Sequence, residues 1–219
     1  MNLATMTPPP VSDLQRVALK VFLTNDSELD PRDAIPVFHR WIQTQAVNGL
    51  LIDVADYAHL PSGPSVLLVA HEGQYALDRT HGRLGLQYTQ TRPLDGSLPE
   101  RLEMLWRTLV SAAGLLETDR ALPGLVRFAG NEIDCIAQDR LCAPNNPETL
   151  AALRPTLESL LSRVSAEADW SFTRDTEPGA PFRVTAKTSS SAPLGTTAAQ
   201  RATPNDNQSV PRRPHALRG

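Results

Sequence analysis

The sequence predicts an α/β (α+β) domain: a mixed sheet of seven or eight strands with about three packed helices, followed by a disordered C-terminal tail. Three observations lead there. Short apolar runs bounded by Gly, Pro, Asn and Asp punctuate the first half, as strands do. From 99 to 118 the apolar residues Leu102, Leu105, Trp106, Leu109, Val110, Ala113 and Leu116 recur at helical spacing, opposite Arg101, Glu103, Arg107 and Ser111. After 176 the composition turns to Ser, Thr, Pro, Gly and Ala, with few large apolar side chains.

The elements follow in order. Residues 1–11, with Pro8, Pro9 and Pro10 in a row, read as a flexible arm. Val17, Leu19, Val21 and Leu23, with Ala18 and Phe22 on the other face, make a buried strand that Asn25 and Asp26 end. Asp30-Pro31 and Asp33, with Pro36, open a helix carrying Ile35, Phe38, Trp41 and Ile42. Asn48-Gly49 then leads to an apolar run, Leu50, Leu51 and Ile52, that ends in Asp53. Strand, helix, strand in this order predicts a crossover and a parallel pair. A loop with Pro61, Gly63 and Pro64 precedes the apolar strand 65–70, and 74–77 and 84–88 form a hairpin around a longer loop. After the helix at 99–118, Gly130-Asn131 predicts a tight hairpin between strands 125–129 and 132–137. Asn146-Pro147 opens the last helix, with Leu150, Leu153, Leu157, Leu160, Leu161 and Val164 facing inward and Pro155 expected to kink it or shift its start. Trp170 and Phe172 close the domain in a short strand, giving an arm at 1–11, a domain at 12–176 and a tail at 177–219.

With 219 residues the chain can bury a substantial core. No apolar run approaches the roughly 18 residues of a membrane span, and no basic-then-apolar leader opens the chain, so the expected location is the cytoplasm. Cys135 and Cys142 match no zinc-ribbon or redox spacing and read as small core residues. Charge is uneven: six of the 21 basic residues but one of the 24 acids lie from Pro178 onward, so the body carries about −8 and the tail about +5. A cationic tail offers charge attraction to nucleic acid. Its lack of aromatic residues beyond Phe182 favours a plain solubilising extension.

The candidate chemistry lies between positions 39 and 88. His39, His59, His71 and His81 fall there with Asp53, Asp56, Glu72 and Asp78, and an acid inside an apparently buried strand needs a partner. Histidines and carboxylates in proximity hold Zn, Mn or Fe, which makes a divalent metal the one cofactor to consider. Against it, His71-Glu72 is followed by Gly73, Gln74 and Tyr75, so the helical two-histidine zinc motif is absent. Ser62 and Ser65 beside His59 lack the Gly-x-Ser-x-Gly elbow, and Cys135 has no adjacent base. Gly82-Arg83-Leu84-Gly85 lacks a phosphate-loop lysine, so Arg83 reads as an ion-pair partner for Asp53, Asp56 or Asp78.

The runs VFHRWIQ (37–43), LLIDVADYAHL (50–60), GPSVLLVAHEGQYALD (63–78) and GRLGLQY (82–88) resemble an uncharacterised family of bacterial proteins of similar length. The resemblance covers residues 15–174. It implies a bacterial cytosolic domain and brings no activity, catalytic residue, cofactor or substrate. The expectation is therefore a non-catalytic interaction or accessory protein that needs no cofactor and binds a protein partner or itself. The alternative is a metal-dependent or small-molecule-binding enzyme built on Asp53, Asp56, His59, His71, Glu72, Asp78 and Arg83.

Overall fold

The computed structural model describes residues 10–165, 167–190 and 194. Eight strands form one sheet: β1 (Val17–Leu23), β2 (Leu51–Asp56), β3 (Pro64–Ala70), β4 (Gly73–Asp78), β5 (Gly85–Gln90), β6 (Phe128–Ala137), β7 (Ser171–Arg174) and β8 (Arg183–Lys187). Their spatial order is β2-β3-β4-β5-β1-β6-β8-β7. Three helices pack on it: α1 (Ile35–Thr44), α2 (Leu98–Glu117) and α3 (Pro147–Val164).

Alternation along β1 sets the two faces of the sheet. Val17, Leu19, Val21 and Leu23 join the apolar core with the helices, while Ala18, Lys20 and Phe22 point the other way. The β-ladder carries the helix-side row across: Leu68, Tyr75, Tyr88, Leu19, Cys135 and Val184 pair in sequence. From α1, Phe38 and Trp41 close over Tyr75, the Trp41 and Tyr75 rings meeting edge to face at 6.5 Å. The α2 helix starts at a capping box, with the Ser97 backbone N–H donating to Glu100 Oε2 at 2.7 Å, and lies over β1 and β5. The α3 helix packs on α2 and β7.

The eight strands and three helices match the expected fold class, but every neighbouring pair is antiparallel, so the sheet is not mixed. The crossover through α1 does return β2 in the same sense as β1. It sends β2 to the sheet edge, with β5, β4 and β3 in between, because the successive β3–β4 and β4–β5 hairpins fill the space beside β1.

Three local expectations also change. Gly130 and Asn131 do not make a hairpin: β6 runs through them as one strand, and the register shift between Val21 and Leu23 absorbs the extra residues as a bulge. Gly130 does not take the positive φ of a tight hairpin turn. Pro155 neither starts nor breaks α3, which is continuous from Asn146, whose side chain caps the Thr149 N–H at 2.8 Å. Arg101, placed by periodicity on the outer face of α2, is buried and donates to the carbonyls of Gly96, Ser12 and Leu14.

The largest change concerns the tail expected from 177. Residues 183–187 are strand β8, inserted between β6 and β7, and Phe182 and Val184 are fully buried in the core. Composition is averaged over the whole segment and hides one five-residue strand whose partners come from elsewhere in the chain. The remaining tail positions, and residues 1–9 of the expected arm, lie outside the described residues, whereas Val11–Asp13 form a 3-10 turn. Among the described residues no helix is long and apolar enough to cross a membrane.

Candidate functional site

Two features of the sheet stand out: a charged cleft on the face away from the helices, and the free edge at β2. The cleft is assembled by register. Gln87, Lys20, Asp134 and Thr185 lie side by side on β5, β1, β6 and β8, and one step along, Phe22 faces Gly85, which pairs with Asp78. Lys20 is fully buried at 0% exposure. Its Nζ donates to Asp78 Oδ1 at 2.7 Å and to the Arg83 carbonyl at 3.0 Å. A Cβ on Gly85 would lie 2.8 Å from Lys20 Cε and against the Val21 carbonyl, so only glycine leaves room for the lysine beneath it.

Around this pair every acid is matched. Asp134 accepts from Arg183 and from Thr185 Oγ1, each at 2.7 Å. Glu132 takes Arg83 at 2.6 Å and Lys187 at 3.1 Å, while the Arg83 guanidinium stacks 4.3 Å over the Phe22 ring. Above them lies a cleft of about 410 Å³, lined among others by Thr80, His81, Thr173 and Asp175. Burial lowers the Lys20 pKa more than the neighbouring carboxylates raise it. Burial pushes Asp78 upward, but the Lys20 charge and hydrogen bonds from Lys20 and Thr80 together hold it below the usual carboxylate range. Each charged group of the network has a partner within it.

The sequence candidates are distributed rather than gathered. Asp78 and Arg83 belong to this network, although Arg83 pairs with Glu132 and not with Asp53, Asp56 or Asp78. Glu72 accepts the Leu50 N–H at 3.0 Å and lies where a Cβ on Gly49 would stand, which locks the turn into β2. Asp56 accepts from the Ala58 N–H at 2.8 Å and from exposed Arg32 at 3.4 Å. His59 and His71 are exposed and have no side-chain hydrogen bond among the described residues. Asp53 lies in β2 and His71 in the turn between β3 and β4, where its backbone N–H donates to the Leu50 carbonyl, and the two side chains do not bond to each other.

One grouping of three metal-type donors occurs among the described residues, and it uses a different set: His81, Asp175 and Glu177, with His81 Nε2 3.4 Å from Asp175 Oδ2. His81 and Asp175 line the cleft and Glu177 follows two residues on; His81 and Glu177 are exposed, and an ordinary surface polar contact accounts for the grouping. Ser62 is exposed and Ser65 lies in β3. Cys135 is a core residue whose thiol is pushed up to about 12, by burial first and the Asp134 charge second.

Asp53 receives a different explanation from the one its sequence context suggests. The run Leu50, Leu51, Ile52 is buried on one face only, Leu51 lying in the core while Leu50 and Ile52 are exposed, and among the described residues β2 is an edge strand paired with β3 alone. Leu50 is 59% and Ile52 56% exposed, and Asp53 is exposed between them and the rest of the strand. The Tyr57 N–H donates to Ser65 in β3, so by alternation the Val54 N–H points out of the sheet. There it is capped by Asp53 Oδ1 at 2.8 Å. Together with Tyr57 and Leu60, Leu50 and Ile52 supply four of the six exposed large hydrophobic side chains among the described residues; the other two, Met104 and Leu141, lie elsewhere.

Lys20, Asp134 and Arg183 escape a search for clustered histidines and acids. The available signal was a lysine inside the otherwise apolar run Val17–Leu23, on the same face as Ala18 and Phe22. Comparison with family models, with curated proteins and with solved structures finds no match for this chain.

Proposed function

We propose that the protein is a non-catalytic interaction module that docks an extended segment of a protein partner along the free edge of β2. The observation that carries this reading is the concentration of exposed apolar side chains, Leu50, Ile52, Tyr57 and Leu60, on and beside one unpaired edge strand. Sheet edges are ordinarily guarded by charge, proline, bulges or cover; β2 carries two acids and a register shift between Leu51 and Asp53, yet it leaves these apolar side chains exposed, and exposed edges are sites of strand addition. The charge network supports the same reading from the other side: its ion pairs are mutually satisfied, so the buried charges are accounted for without invoking turnover.

Selection of short linear peptides from a random library on the full chain tests this. Expected ligands bind the native chain and lose about tenfold or more on Ile52→Lys, which places a charge in the apolar row. Ligands that bind native and Ile52→Lys chains alike would place the docking surface elsewhere and end this reading.

A further inference from the structure

An edge strand that accepts a partner strand also selects it by the side chains it presents. Resting on strand addition at β2, we infer that the docked segment is basic: an extended strand that presents a lysine or arginine to Asp53 and apolar side chains to Leu50, Ile52 and Tyr57. Three observations converge. Asp53 is exposed, has no ion pair among the described residues, and sits mid-strand with its carboxylate folded back on the Val54 N–H. That N–H points away from β3, so an incoming strand that takes it with a carbonyl releases the Asp53 carboxylate, and a cation on the incoming strand restores its partner. The surroundings are acidic too. Asp56 flanks the edge at one end and Glu72 at the other, and the cation Arg32 is already engaged by Asp56.

The same charges argue against a second copy of this chain as the occupant. Two β2 strands paired about a two-fold axis keep like faces together only when the axis passes through a residue. With the axis at Val54 both copies of Asp53 stand diagonally across it, and with the axis at Ala55 each faces Tyr57; in either register both carboxylates are released from their backbone bonds with no cation opposite. A basic strand supplies that cation.

The test uses a short extended peptide alternating valine with lysine and its counterpart alternating valine with glutamate, each titrated against the full chain and against Asp53→Lys. The expected result is about five- to tenfold tighter binding of the lysine peptide to the native chain, weakened by salt, with the preference reversed on Asp53→Lys. Equal binding of both peptides, with loss of both on Ile52→Lys, would overturn the basic-partner inference while leaving strand addition intact. Failure of both peptides to bind the native chain would overturn it as well. So would a stable dimer through β2 that the lysine peptide does not dissociate.

Discussion

Replacing Lys20 with methionine is expected to cost about 3–5 kcal/mol of stability at neutral pH, because it strands the Asp78 carboxylate in a buried site. The lysine is fully buried, and Asp78 is 4% exposed, so water cannot replace the lost partner. Removing both charges is different. Lys20→Met combined with Asp78→Leu leaves Asp134 with Arg183 and Thr185, and most of the loss should be recovered. The pH dependence separates a charge effect from a packing effect. In the native chain Asp78 titrates below its ordinary range, so its contribution is full above that range and is lost as pH falls through the folded value. In Lys20→Met burial is opposed only by the hydrogen bonds from Thr80, so the Asp78 pKa rises above its native-chain value, and the variant's deficit is largest at neutral pH and shrinks on acidification. Urea unfolding of both variants across the acid range measures this; a deficit independent of pH would mean that methionine merely packs badly there.

Ending the chain at residue 176 should abolish cooperative folding, although by composition the domain is complete at that point. The truncation removes β8, which separates β6 from β7 and buries Phe182, Val184 and Ala186. Burial of the Phe182 and Val184 side chains alone contributes about 3–6 kcal/mol, comparable with the roughly 5–15 kcal/mol that holds a domain together. Asp134 would lose Arg183 and Thr185 in the same step. Thermal unfolding of the truncated chain beside the full chain decides the matter. A sharp transition at the full-chain temperature would show that β8 is dispensable.

These two cases show which parts of the molecule were legible in the chain and why. Elements defined by their own periodicity were read closely: the strand at Val17–Leu23, the helix at Leu98–Glu117 and the β4–β5 hairpin need only local pattern. Features decided by distant partners were not. The five residues of β8 carry too few apolar side chains to declare a strand, and they gain that identity from β6 and β7. The run Leu50, Leu51, Ile52 looks like a core strand because sequence reports hydrophobicity and not position in the sheet, and only the order of strands places it at the edge. Asp53 changes meaning with it, from a buried acid in need of a metal or an arginine to a cap on the Val54 N–H. Asp78 reads in the sequence as an acid needing a cation, but its partner is 58 residues away, the one lysine in an otherwise apolar strand.

Strand addition at β2 is tested most directly by amide hydrogen exchange at Val54 in the full chain, with and without a saturating strand-forming peptide. The Val54 N–H points out of the sheet and is covered only by the neighbouring exposed Asp53 side chain, so exchange in the free chain should be fast for a strand residue. Docking along the edge converts it into an interstrand hydrogen bond, and its exchange should slow by about tenfold or more. Amides of β7, at the far edge, should keep their rates. A bound peptide that leaves Val54 exchanging as before, or that protects β7 instead, would contradict the assignment of β2 as the docking edge.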